Sequence, residues 1–131
     1  MSAPHEEWLT RAENDLRFAE LGLREGFYSQ VCFLSQQVVE KCFKGMLVAL
    51  GRSYPKSHSL RELASKLPEL SLKKHSEALT ILDGYYVPIR YPDAAPGMKA
   101  GGAPNKGEAR VAIDTARAIW DIVTKYLSKK G

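Results

Sequence analysis

The chain has 131 residues, 44% hydrophobic and 26% charged, with a net charge of +4. That is ordinary globular composition and enough chain for a single domain over residues 1–131. No long uncharged apolar run occurs and no export-signal pattern opens the chain, so the expectation is a soluble cytoplasmic protein with no membrane contact.

The positive excess is uneven. Residues 1–95 hold twelve basic and twelve acidic side chains, whereas residues 96–131 hold seven basic and three acidic. A weakly basic tail half permits contact with phosphate without requiring it. Cys32 and Cys42 stand ten residues apart, about 15 Å along one predicted helix, too far to bridge within it. Two lone thiols on an apolar face suit a reducing compartment. Neither belongs to a metal-ligand pattern, so neither a metal nor a cofactor is expected.

In chain order, residues 5–25 read as an amphipathic helix, with Trp8, Leu9, Ala12, Leu16, Ala19 and Leu23 on one face. Glu13 with Arg17 and Glu20 with Arg24 have the spacing of surface ion pairs. Asp15, at the edge of the apolar stripe, is placed to bond a neighbouring helix. Gly26 supplies a stop, and a second helix follows at once, making an antiparallel hairpin.

That second helix, Phe27 to Gly51, is the centre of the fold. Val31, Leu34, Val38, Cys42, Met46 and Ala49 form one apolar wall, and Cys32, Val39, Phe43, Leu47 and Leu50 form another. Together they cover about 220° of the circumference. Gln37, Glu40, Lys41 and Lys44 take the remaining narrow stripe, read as its exposed side. Ser35, Cys42, Gly45 and Ala49 make a seam of small residues. Gly inside a helix costs about 1 kcal/mol against Ala, so close packing is the compensation expected there.

Residues 51–58 form a polar connection containing Pro55. Ser59-Leu-Arg-Glu62 has the form of a capping box opening a short helix to about Lys66, and Pro68 ends it. Ser71 is expected to cap a fourth helix carrying Leu72, His75, Leu79, Leu82 and Tyr86 on one stripe, with His75 hydrogen-bonded within the structure. Gly84 and Pro88 end it. Residues 90–106 hold three prolines and three glycines and have no periodicity, which reads as a long loop. Asn105 and Glu108 start a last helix to about Ser128. Val111, Ala112, Ala116, Ile119, Trp120, Val123, Tyr126 and Leu127 are expected to bury it; Arg110, Asp114, Arg117, Asp121 and Lys125 form a solvated ladder of alternating sign. No stretch alternates with period two. The fold expected is all-α: an up-and-down bundle of four to five helices.

Three groups of residues carry potential chemistry. Lys44 and Gln37 on the second helix either belong to an exposed ion-pair stripe or line a groove for a phosphate. Arg90-Tyr91-Pro92-Asp93 brings together a forked cation, an aromatic face and a carboxylate. Arg90 can hold a phosphate, Tyr91 can stack a base, and Asp93 can hold the arginine or accept from a ribose. Arg52 and His58, with five residues between them, are weak candidates for metal-independent RNA cleavage, which needs a base for the 2′-hydroxyl proton and a cation at the phosphate.

Four segments together resemble the HEPN family of small helical bundles: Trp8 through Ala19, Gln36 through Leu47, the Ser57-His58-Ser59-Leu60 step, and Arg90-Tyr91-Pro92-Asp93. They occur in family order over nearly the whole chain. The resemblance implies a homodimer, frequent pairing with a small nucleotidyltransferase as a toxin–antitoxin module, and a nucleotide-binding role. Family ribonucleases carry Arg, four to six residues, then His near the start of the last long helix. Here Arg52 and His58 fall between the second and third helices, and no histidine follows Arg90. The reading is therefore a non-catalytic module contacting a nucleotide or RNA through Arg90, Tyr91 and Asp93, with Lys44 and Gln37 as phosphate neighbours. The alternatives are a metal-independent endoribonuclease using Arg52 and His58, and a ligand-free dimeric adaptor using the small-residue seam.

Overall fold

A computed structural model describes residues 3–86 and 102–130. It contains α1 (Pro4–Glu25), α2 (Tyr28–Ala49), α3 (Leu60–Ser65), α4 (Ser76–Asp83) and α5 (Lys106–Lys130), with 3-10 turns at Pro68–Leu70 and Lys73–His75. The described residues thus form an all-α bundle of three long and two short helices. Arg90, Tyr91 and Asp93 lie outside the described residues, as does most of the 90–106 loop.

The α1–α2 hairpin is the frame. Gly26 takes φ 83°, a left-handed conformation that ends α1, and the Phe27 amide donates back to the Gly22 carbonyl at 2.9 Å. Only two residues separate the helices. α2 packs against each of the other four helices, which is the placement its wide apolar surface demands. Val31, Cys32, Val38, Val39, Cys42, Phe43, Met46 and Leu47 are wholly buried there.

The small-residue seam is used inside the chain. A Cβ built on Gly45 would fall 2.9 Å from Trp8 Cβ and 3.3 Å from the His5 carbonyl oxygen. Gly45 therefore lets the start of α1 rest on α2, and at this position the seam is not open to a second copy, as the adaptor reading required. Asp15 bonds its neighbour as expected, through an ion pair with Lys41 of α2. Glu20 does not end on Arg24: its carboxylate receives Arg117 Nη2 of α5 at 2.8 Å. Arg117 also donates to Asp114 at 3.3 Å, so one rung of the predicted surface ladder ties α5 to α1.

The last helix is capped as its sequence suggested. The Glu108 amide donates to Asn105 Oδ1 at 2.8 Å, and the Asn105 amide donates to Glu108 Oε1 at 3.1 Å, a reciprocal capping box. Its buried face includes Ala109 and Ile113, while Val111 is 54% exposed. The expected stripe holds at Ala112, Ala116, Ile119 and Val123, which are buried, and fails at Val111.

The fourth helix is shorter than predicted. Ser71 adopts φ 52° and ψ 56° and donates its amide to the Pro68 carbonyl, so it closes a turn instead of capping a helix. The chain then makes the turn at Lys73–His75 before α4 begins at Ser76. His75 Nε2 is buried and has no hydrogen-bond partner among the described residues, contrary to the expectation of a satisfied ring. No helix among the described residues is long and apolar enough to cross a membrane.

Candidate functional site

Gln36, Glu40 and Lys44 follow one another at four-residue steps on α2, so they share one helix face. That face is not the exposed stripe expected of it. Gln36 is wholly buried, Glu40 is 6% exposed and Lys44 is 8% exposed. The cover comes from two segments distant in sequence. Trp8 of α1 meets Tyr54 edge to face, with ring centroids 5.7 Å apart, and Lys44 Nζ lies 5.9 Å and 5.5 Å from those two rings. The 51–59 connection folds back over α2 and is pinned where Gln36 Nε2 donates to the His58 carbonyl at 3.0 Å.

Glu40 gathers the polar groups. Its Oε2 accepts from Lys44 Nζ at 2.9 Å, and its Oε1 accepts from Gln36 Nε2 at 3.3 Å. His58 Nδ1 lies 3.2 Å from Oε1 and 3.1 Å from Oε2. An ionised carboxylate only accepts, so Nδ1 donates to Glu40 and Nε2 is the ring nitrogen that Glu40 leaves unengaged. A buried charge is tolerated when paired and hydrogen-bonded, and every partner that condition needs is present here.

The opposite face of the His58 ring is held by Tyr86, stacked at 4.3 Å with an 18° interplanar angle. Phe33 extends the stack on Tyr86 at 6.3 Å. His58 remains half-exposed, with 52% of its side chain accessible, and borders a cavity of about 260 Å³ with Ser59, Asp83 and Tyr86. Asp83 is already engaged, accepting from the Leu60 amide at 2.7 Å at the start of α3. Ser59 Oγ caps the same helix through the Glu62 amide at 3.2 Å, and the Ser59 amide donates to Ser57 Oγ rather than to the Glu62 side chain.

Arg52 points elsewhere. Its guanidinium forks onto the Glu69 carboxylate and donates to the Lys66 carbonyl at 3.2 Å. The bond to Glu69 holds its charge more firmly than usual. Arg52 and His58 thus have separate partners. Gln37 is half-buried, and its Nε2 donates to Gln36 Oε1 at 2.7 Å. Lys44 has its ammonium taken by Glu40 and two rings, so it offers an incoming phosphate no free charge.

The residues that organise this site were partly hidden in the sequence. The four-residue rhythm of Gln36, Glu40 and Lys44 is legible, but nothing local marks it as buried. Trp8, Tyr54 and Tyr86 reach the cluster only through the tertiary fold. Among the described residues no group of three or more His, Cys, Asp or Glu is placed to hold a metal.

Comparison with known proteins gives the family. No curated protein matches the chain. The crystal structure of ST0689, an archaeal HEPN homologue, is 33% identical and superposes with a TM-score of 0.73, covering 95% of this chain and 98% of that one. The crystal structure of TT1696 from Thermus thermophilus is 34% identical, with a TM-score of 0.73, covering 92% of this chain and 96% of that one. The HEPN domain model matches residues 5–126, and with that span the chain belongs to the HEPN family.

Proposed function

We propose that this chain is a non-catalytic HEPN module that contacts a nucleotide or RNA, acting as a homodimer beside a small nucleotidyltransferase in a toxin–antitoxin-like pair. The observation that carries the reading is the half-exposed His58 ring, stacked on Tyr86 at the mouth of a cavity. Exposed aromatic faces are platforms for bases, and Arg90 stands four residues beyond Tyr86 in the sequence. With Lys44 neutralised, the anion contact falls to Arg90, supported by Tyr91 and Asp93. The separate engagement of Arg52 by Glu69 supports the absence of catalysis, because the candidate cation and the candidate base His58 have different partners. Calorimetry tests the proposal. The parent protein binds ATP, GTP or short RNA, and Arg90→Ala weakens that binding while the melting curve is unchanged. Absence of binding by the parent protein refutes it.

One observation favours a second reading, a metal-independent endoribonuclease. Glu40 holds His58 by Nδ1 and leaves Nε2 unengaged, the arrangement of an oriented general base. Incubation with total RNA in chelator separates the two readings. Cleavage abolished by His58→Ala supports the nuclease, and intact RNA excludes it.

A further inference from the structure

We infer that the cavity between α3, the 68–70 turn and the start of α4 is a phosphate-binding pocket, separate from the His58 cavity. It has a volume of about 260 Å³ and is lined by Arg61, Ser65, Lys73 and Ser76 over a floor that includes Leu67 and Leu79. Two cations from different elements converge on it, and no Asp or Glu lines it.

Two basic side chains lining one pocket make a local positive field that favours an anion. Among the described residues neither Arg61 nor Lys73 makes a side-chain hydrogen bond or ion pair. Arg52, by comparison, is forked onto Glu69, and Lys44 is closed over by Glu40. The acids nearest in sequence, Glu62, Glu69 and Glu77, do not line the cavity, and Asp83 accepts from the Leu60 amide.

The pocket is held by the backbone. Ser71, at φ 52°, is the only non-glycine residue with positive φ among the described residues. Such a conformation persists where the surroundings over-determine it, and here it turns the chain from Leu70 into the Lys73–His75 turn that supplies the second cation.

The chemistry favours phosphate. A guanidinium presents a planar fork that matches phosphate oxygens, and an ammonium adds a point charge. Ser76, on the wall, has a hydroxyl without a partner among the described residues. At about 30 Å³ per water, the volume admits a phosphate group together with several waters.

Inorganic phosphate is titrated against the full chain while backbone amide resonances are followed at constant ionic strength with chloride. Saturating shifts at Ser65, Lys73 and Ser76 are expected. They weaken at least tenfold in the double variant Arg61→Gln/Lys73→Gln, whose circular dichroism and melting temperature check that it folds. Shifts that never saturate, or that persist in the variant, overturn the inference. A short single-stranded RNA is titrated separately. If its log K against log[salt] slope falls by about 1.4 in the double variant, two backbone phosphates are being neutralised and the source is a polynucleotide. A phosphate response with an unchanged RNA slope assigns the pocket to a free phosphate group. Because Arg90 is untouched in these variants, loss of this site is distinguishable from failure of the Arg90 contact.

Discussion

Replacing Glu40 by glutamine keeps the shape of the side chain and removes its charge. Lys44, whose side chain is 10% exposed, is then a buried ammonium facing only a neutral amide oxygen and two aromatic rings. Breaking one side of a buried ion pair costs about 3–5 kcal/mol. The rings of Trp8 and Tyr54, 5.9 Å and 5.5 Å from Nζ, soften this by contacts worth about 0.5 kcal/mol each, which leaves a loss of about 2–4 kcal/mol. With an unfolding entropy of about 2.1 cal/mol/K per residue, a chain of this length loses about 3.6 °C per kcal/mol. Glu40→Gln should therefore lower the melting temperature by about 7–14 °C. The control is Lys44→Met, alone and combined with Glu40→Gln. Once the ammonium is gone, the missing carboxylate charge matters less, so the double variant should recover about 1–3 kcal/mol relative to the sum of the singles. Urea denaturation at constant m-value measures all three. A Glu40→Gln loss below about 1 kcal/mol, or strict additivity, refutes the claim that this pair is sealed inside the fold.

The core makes two further predictions. Gly45→Leu should destabilise the chain by more than about 3 kcal/mol, because even a Cβ meets Trp8 at 2.9 Å and overpacking a tight site costs about 1–3 kcal/mol before larger shifts are forced; a melting curve within a few degrees of the parent contradicts this packing. Cys32 and Cys42 are both wholly buried, and burial pushes the Cys42 thiol well above its usual range. Neither should react with a thiol reagent until denaturant is added, and rapid labelling of the native protein would overturn that placement.

How much of this the sequence disclosed depended on the range of the interaction. Caps and helix faces are local, so Gly26, Ser59, Asn105 and the apolar walls of α2 could be read from spacing alone. The sealed state of Glu40 was not local. On the wheel it lies between charged neighbours and looks solvated; Trp8 of α1 and the return of Tyr54 and His58 over α2 close this face, and no period in the sequence encodes that return. Ser71 misled for a related reason. Its residue type suits a helix cap, but the preceding turn at Pro68–Leu70 claims its amide, and the helix starts at Ser76 instead. Val111 failed because its apolar type was taken for burial: it adjoins Ala112, which is 2% exposed, but one residue is a turn of about 100° around α5.

The same distinction bears on where an anion can be met. Net charge counts Lys44 and Arg52 as equal to Arg61 and Lys73, yet the structure divides them. Glu40 pairs Lys44 and also holds His58 of the 51–59 connection, and Glu69 pairs Arg52, tying that connection to the 68–70 turn. The cations left over, not the basic total, are the ones available to a phosphate. A protein whose net charge is only +4 can thus present a local positive site where two basic side chains line one cavity with no acid in its lining.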